Sequence, residues 1–327
     1  MRQITTVAVF LVTIIACAAL GGGAQERKSF WAFTGPWDPA SDASLRANAG
    51  RLDVAVTGWI ALDSLSGEPL LPSAYADTIR LAGGTARRFA LVTSWHGQGF
   101  HKTSIRALGA DPGRGAHVAG VIARYAQSMR YAGLVLDFET LKAADVEAHL
   151  AVVRAIADSA RARGVTTIAV AVPAEPDEGY PTRELTRLAD FVLVMLYDQH
   201  WPGSAPGPIS APDWMTRNLS RVVGEVGASR VIAGLPLYGY YWEKGKPGVG
   251  VSHAAALRSA QRDAIRLTRD SASNTLRGTG GNASLWVTDA ALLDDLMRRA
   301  AQLGVTRFAF WRLGQEDPGM WSDGLSR

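Results

Sequence analysis

Two carboxylates in "YAGLVLDFET" could do chemistry together, and their spacing says which kind. Side chains two apart on an extended strand share a face, so Asp137 and Glu139 point the same way with Cα atoms about 6–7 Å apart. Such a pair can act on one small target. Gly133, Val135, Asp137 and Glu139 form one face, and Leu134, Leu136 and Phe138 form the other. That division suits a barrel strand whose outer face is covered by helices. The competing reading is a salt-bridged or helix-capping pair where the strand runs out, and the rest of the chain weighs against it.

The elements that must position the pair repeat along the chain. Eight short β-rich runs begin at Phe30, Val54, Phe89, Gly133, Thr167, Phe191, Val231 and Arg307. Between them lie amphipathic stretches such as "HVAGVIARYAQSMR" and "AADVEAHLAVVRAIADSARARG", the second stopped by Gly164. Eight alternating units predict an α/β protein, a (β/α)8 TIM barrel. One connection is too long for a simple crossover. About 50 residues separate Tyr238 from the helical stretch near Thr288, and they include "NTLRGTGGNASLWV", which reads as a hairpin. A small α+β insertion at about 241–287, between the seventh and eighth strands, is expected, with residues 28–327 forming the barrel domain.

Composition narrows the class. The 327 residues are 47% hydrophobic and 20% charged, which suits a chain with a large core. A net charge of +4, spread without a basic cluster, gives no footprint for nucleic acid. Residues 1–24 carry Arg2, the apolar stretch "VAVFLVTIIACAAL" and then "GGGA", the pattern of a signal peptide. The apolar stretch is short for a membrane span, so an exported protein, periplasmic or extracellular, is expected. Cys17, the single cysteine, lies in "IIAC", which also fits lipoprotein processing with a lipid anchor at that residue; the ordinary cleavage site after "GGGA" is the alternative. Either way the domain holds together without a disulfide.

In a barrel of this type chemistry gathers at the C-terminal strand ends. Those ends carry Trp95 and His96 after the third strand, Met195, Tyr197 and Asp198 after the sixth, Tyr238, Tyr240 and Trp242 after the seventh, and Trp311 after the eighth. Carboxylates ringed by aromatic faces suit carbohydrate, because the CH faces of a pyranose pack on indole and phenol rings. His96 and His200 lack metal-ligand spacing, no metal or cofactor is expected, and "GTGG" near Gly278 lacks the Lys-Ser/Thr of a phosphate loop. Trp201, Trp214 and Trp242 read equally as sugar platforms or as core. Glu316 and Asp317 in "LGQEDP" read as turn-capping residues.

Taken in order, "GLVLDFE", "VMLYDQHW", "GLPLYGYYW" and "FAFWRLGQEDP" resemble successive motifs of glycoside hydrolase family 18, the chitinase-like barrels. The opening "FTGPWDPASDASLRANAGRLDVAVTGWIALD" is similar to the branch whose barrel is often fused to a polysaccharide deacetylase and a glycosyltransferase. The resemblance implies substrate-assisted, retaining cleavage of β-1,4-linked N-acetylglucosamine polymers: chitin-type oligosaccharide, peptidoglycan or exopolysaccharide. It implies Glu139 as general acid, Asp137 as the residue that orients the 2-acetamido group, and Tyr197 as donor to that group's carbonyl oxygen. Trp311 would floor the central subsite, lined by Met195 and Asp198. The family's fuller signature has acids four and seven residues before the glutamate, and here those places hold Val135 and Ala132. That departure keeps a second expectation open, a carbohydrate-binding barrel with little hydrolysis.

Overall fold

A computed structural model describes residues 27–72, 85–322 and 325. The leader-like residues 1–24, with Cys17, lie outside the described residues.

Eight parallel strands close into a barrel. They are β1 (Ser29–Phe33), β2 (Val54–Leu62), β3 (Arg87–Thr93), β4 (Gly133–Asp137), β5 (Thr167–Pro173), β6 (Phe191–Met195), β7 (Val231–Pro236) and β8 (Arg307–Trp311). Neighbours in sequence are neighbours in space, and β1 closes the ring by pairing with both β2 and β8. Alternation sorts the side chains into two layers. Inward residues Trp31, Phe33, Val54, Val56, Phe89, Leu91, Val135, Leu193 and Ile232 fill the barrel as one buried cluster. The outward set, including Phe30, Leu134, Leu136, Val170, Val192 and Val194, packs under the helices. Trp31 meets Phe89 edge-on with ring centres 4.9 Å apart, so indole and phenyl plug the barrel beneath the site. Strand β2 shifts register between Val56 and Gly58. Gly58 is required there, since a Cβ would sit 2.7 Å from both Ala90 and the Tyr131 ring.

The helices begin where short polar side chains can cap them. Asp111 starts Pro112–Ser128 by accepting from the Arg114 N–H at 3.0 Å, and Asp289 starts Ala290–Gln302 in the same way. The helix Val146–Arg161 buries Val152, Val153, Ile156 and Ala157 on one stripe and stops just before Gly164, whose φ is +81°. Among the described residues no helix is long and apolar enough to cross a membrane.

The insertion forms an antiparallel five-stranded sheet in the order Val249–Ser252, Tyr238–Glu243, Ala283–Val287, Leu276–Gly280, Thr268–Arg269. The helix His253–Arg262 covers it, and Ala256, Ala260, Ile265, Leu285 and Val287 make a separate small core. The seventh strand stops at Pro236. Tyr238, read from the sequence as its end, instead opens the inserted sheet, so the tyrosines Tyr238 and Tyr240 reach the barrel mouth from the insertion.

Candidate active site

Strand β4 ends at Asp137, and Glu139 lies just past it in an irregular segment, Phe138–Leu141. Asp137 is buried and accepts from the Thr93 hydroxyl at 3.1 Å. Thr93 is the residue paired with it in register on β3, so the parallel ladder itself sets that contact. Ser94 then grips the backbone on both sides of Phe138. Its N–H donates to the Asp137 carbonyl at 3.1 Å, and its hydroxyl accepts from the Glu139 N–H at 3.3 Å.

Electrostatics divide the two carboxyls into a donor and an acceptor. Burial pushes the Glu139 carboxyl well above the usual carboxylate range, with the charges of Asp137 and Asp198 adding to it. Burial also raises Asp137, but hydrogen bonds from Thr93 and Glu139 oppose that rise. Of the two, Glu139 is therefore the one that favours keeping its proton and Asp137 the one that ionises first. Burial and the surrounding carboxylates keep the Tyr197 phenol protonated.

Asp198 has a φ of +58°, a conformation that Asp tolerates better than most residues. Much of its surface is open, yet its carboxylate is lodged among rings. Tyr240 donates to it at 2.8 Å and Tyr238 donates to the same oxygen. Burial of the carboxyl raises its proton affinity and the two phenol hydrogen bonds oppose that.

These groups line one cavity of about 740 Å³ at the C-terminal end of the barrel, within the usual range for a ligand site. Asp137, Glu139, Met195, Tyr197, Asp198, Trp311, Trp95 and Tyr238 all face it. Trp242 does not. It is buried and packed on Tyr240 with ring centres 5.3 Å apart, four residues along the inserted strand from Tyr238. As to the other indoles, Trp214 is core and donates to Glu175, and Trp201 is exposed outside the cavity wall. His96 accepts from the Ser64 N–H and His200 bonds the Ala205 carbonyl, so both serve local loops. Asp317 caps the turn Pro318–Trp321 and also holds the Ala290 N–H at 3.0 Å. No cluster of side chains suited to a metal ion occurs among the described residues.

Several lining residues escaped the sequence reading. Trp59 and Trp37 extend an aromatic wall from Trp311, with centre distances of 6.2 Å from Trp311 to Trp59 and 4.8 Å from Trp59 to Trp37. Arg312, also in the lining, braces that wall, pairing with Asp38 at 2.6 Å and lying over the Trp37 ring. Trp59 stands near the C-terminal end of β2, so the strand-end rule could have found it. Trp37 lies in a loop and carried no comparable signal.

A parallel eight-stranded barrel with an acid pair and aromatic walls at its C-terminal mouth defines the class of barrel enzymes that handle glycans. Residues 83–289 match the model for glycosyl hydrolases family 18, and the chain belongs to that family. A chitinase from Chromobacterium violaceum superposes with a TM-score of 0.83 at 21% identity, covering 92% of this chain and 99% of that one. A class V chitinase from Pseudomonas fluorescens gives 0.82 at 25% identity, covering 91% and 100%. The cortical fragment-lytic enzyme of Bacillus subtilis is 23% identical over 248 residues, 71% of this chain and 58% of that protein. The chain spans less than two thirds of the length of the curated relatives it matches.

Proposed function

We propose that this protein is a retaining glycosidase that cleaves β-1,4-linked N-acetylglucosamine-containing polysaccharide with the substrate's own acetamido group as nucleophile. The observation that carries the reading is the acid pair Asp137 and Glu139 set together in the wall of an aromatic cavity, where burial and the charge of Asp137 favour a proton on Glu139. Glu139 gives its proton to the glycosidic oxygen as the bond from that oxygen to the anomeric carbon breaks. The acetamido carbonyl oxygen attacks the same carbon from the opposite face and forms an oxazolinium ion. Asp137 accepts the acetamido N–H and balances the positive charge, and Tyr197 donates to the carbonyl oxygen. Glu139, now a carboxylate, takes a proton from water as that water opens the ring, so the β-configuration returns. Trp311, with Met195 and Asp198, forms the subsite for the reacting sugar.

Chitin-type oligosaccharide and peptidoglycan are the two leading polymers, the first supported by the chitinase neighbours and the second by the cortical fragment-lytic relative. The site lies outside the cytoplasm in this reading, on the strength of the leader-like residues 1–24. Incubation with a panel of 2-acetamido polysaccharides, followed by mass analysis and proton NMR of the first products, tests the proposal. Expected are β-anomeric products and no cleavage of fully deacetylated polymer. First-formed α-anomer, or equal cleavage of the deacetylated polymer, would refute the substrate-assisted route.

Val135 supports a second reading. It is fully buried on the inner face, two residues before Asp137, where the resemblance places an acid. A barrel that binds glycan without turnover would change its tryptophan fluorescence with sugar and release no reducing ends.

A further inference from the structure

Glu139 sits on a segment that no strand holds, so something else must fix its backbone. Thr140 next to it has a φ of +64°, outside the broad allowed regions for a β-branched residue. Ser94 grips the segment from the β3 side. On the opposite side, Tyr180, from the loop after β5, reaches in beneath it. Its hydroxyl donates to the Phe138 carbonyl at 2.9 Å and accepts from the Leu141 N–H at 3.4 Å, bracketing Glu139 and Thr140. Burial pushes the Tyr180 phenol far above its ordinary value, so it stays a donor.

Tyr180 is itself held in place. The His149 ring packs edge-on against it at 5.5 Å and against Phe138 at 6.2 Å. Burial keeps His149 neutral, pushed down to about 4, and its Nδ1–H donates to the Gly179 carbonyl at 3.2 Å. Gly179 lies against the acid's segment, since a Cβ there would come within 2.6 Å of the Leu141 backbone.

We propose that Tyr180 is a positioning residue for Glu139: by pinning the backbone of Phe138 and Leu141 it keeps the acid buried beside Asp137. The inference rests on the reading of Glu139 as the acid. Loosening the segment lets Glu139 move toward water and away from Asp137, which removes both leading causes of its raised proton affinity. Other charged or titratable groups facing the pair are Asp198 and Tyr197 after β6 on the Glu139 side, and Asp177, paired with Lys142, beside Tyr180.

The test compares the full chain with Tyr180→Phe, which keeps the ring and removes the hydroxyl, and with Gly179→Ala, which presses on the Leu141 backbone. Carboxyl-carbon NMR titration of Glu139 and steady-state kinetics on N-acetylglucosamine oligosaccharide are the readouts. Both variants should titrate Glu139 at lower pH than the parent, with kcat down about tenfold and KM within about twofold, the signature of a misplaced acid. Ile156→Val, a core change in the helix Val146–Arg161, supplies the control for lost stability and should move neither readout. Titration curves that overlay the parent in both variants, or kcat losses that merely track melting temperature as in the control, would overturn the proposal. A parent that cleaves nothing defeats the glycosidase reading instead, and the titration still decides the role of Tyr180.

Discussion

The two sides of the cavity are built differently. On the β3–β4 side, Thr93 and Asp137 are placed by adjacent parallel strands, and Ser94, just past β3, holds the backbone N–H of Glu139, just past β4. On the inserted side, Tyr238, Tyr240 and Trp242 come from an antiparallel strand with its own neighbours, and Asp198 is held by phenol hydroxyls alone. The barrel side sets proton positions to within a hydrogen bond, which acid catalysis needs. The inserted side supplies shape, with Tyr238 and Tyr240 in the cavity lining. In the proposed reaction the barrel wall carries the chemistry and the added wall the recognition.

Glu139→Gln is the sharpest way to break that contrast. It should abolish hydrolysis, a loss of about 3 kcal/mol or more in transition-state stabilisation, while sugar binding is nearly kept. Retention of more than about a tenth of the parent's activity, measured by reducing-end release, would remove Glu139 from the role of acid. The same variant reports on stability. Because the folded state holds the Glu139 proton more tightly than the unfolded chain does, parent stability is undiminished below the ordinary carboxylate range. It falls as pH rises through that range toward the folded value, since the unfolded chain releases the proton first. The glutamine variant carries no such cost. Its melting temperature relative to the parent should therefore climb from mildly acidic to neutral pH.

On the inserted side a smaller effect is expected. Tyr240→Phe deletes one of the two phenol contacts on Asp198 and should cost about 1 kcal/mol in urea unfolding, with the Asp198 titration moving further up. A loss of activity as large as that of Glu139→Gln would show that the inserted side also carries the chemistry. Smallest of all is Trp242→Phe, which lies behind the cavity lining and meets it through the Tyr240 ring. Turnover and sugar affinity should stay within about twofold of the parent, and a larger drop in oligosaccharide titration calorimetry would place Trp242 back in the subsite.

Much of this was legible in the residues. Period-two alternation in β4 placed Val135 and Asp137 inward before any coordinates, because a strand leaves a side chain only two faces. All eight barrel strands could be read from their β-rich apolar runs for the same reason. Boundaries were less readable. The run from Val231 to Gly239 is continuous in the sequence, and only the pairing of Tyr238 with Ser252 and of Gly239 with Val287 shows that the chain has left the barrel there.

The sequence by itself determined the barrel, the insertion and the acid pair, because periodicity and spacing act over a few residues. Tertiary structure alone decided which aromatics share the cavity. Trp37 joins Trp59 and Trp311 through an ion pair between Asp38 and Arg312, residues far apart in the chain, while Trp242 turns into the insertion's aromatic packing. Tertiary structure also decided what holds the Glu139 segment, since the hydroxyls of Ser94 and Tyr180 arrive from the segments that follow β3 and β5. Contacts of that kind depend on how strands and loops meet at the barrel mouth, and no local pattern encodes them.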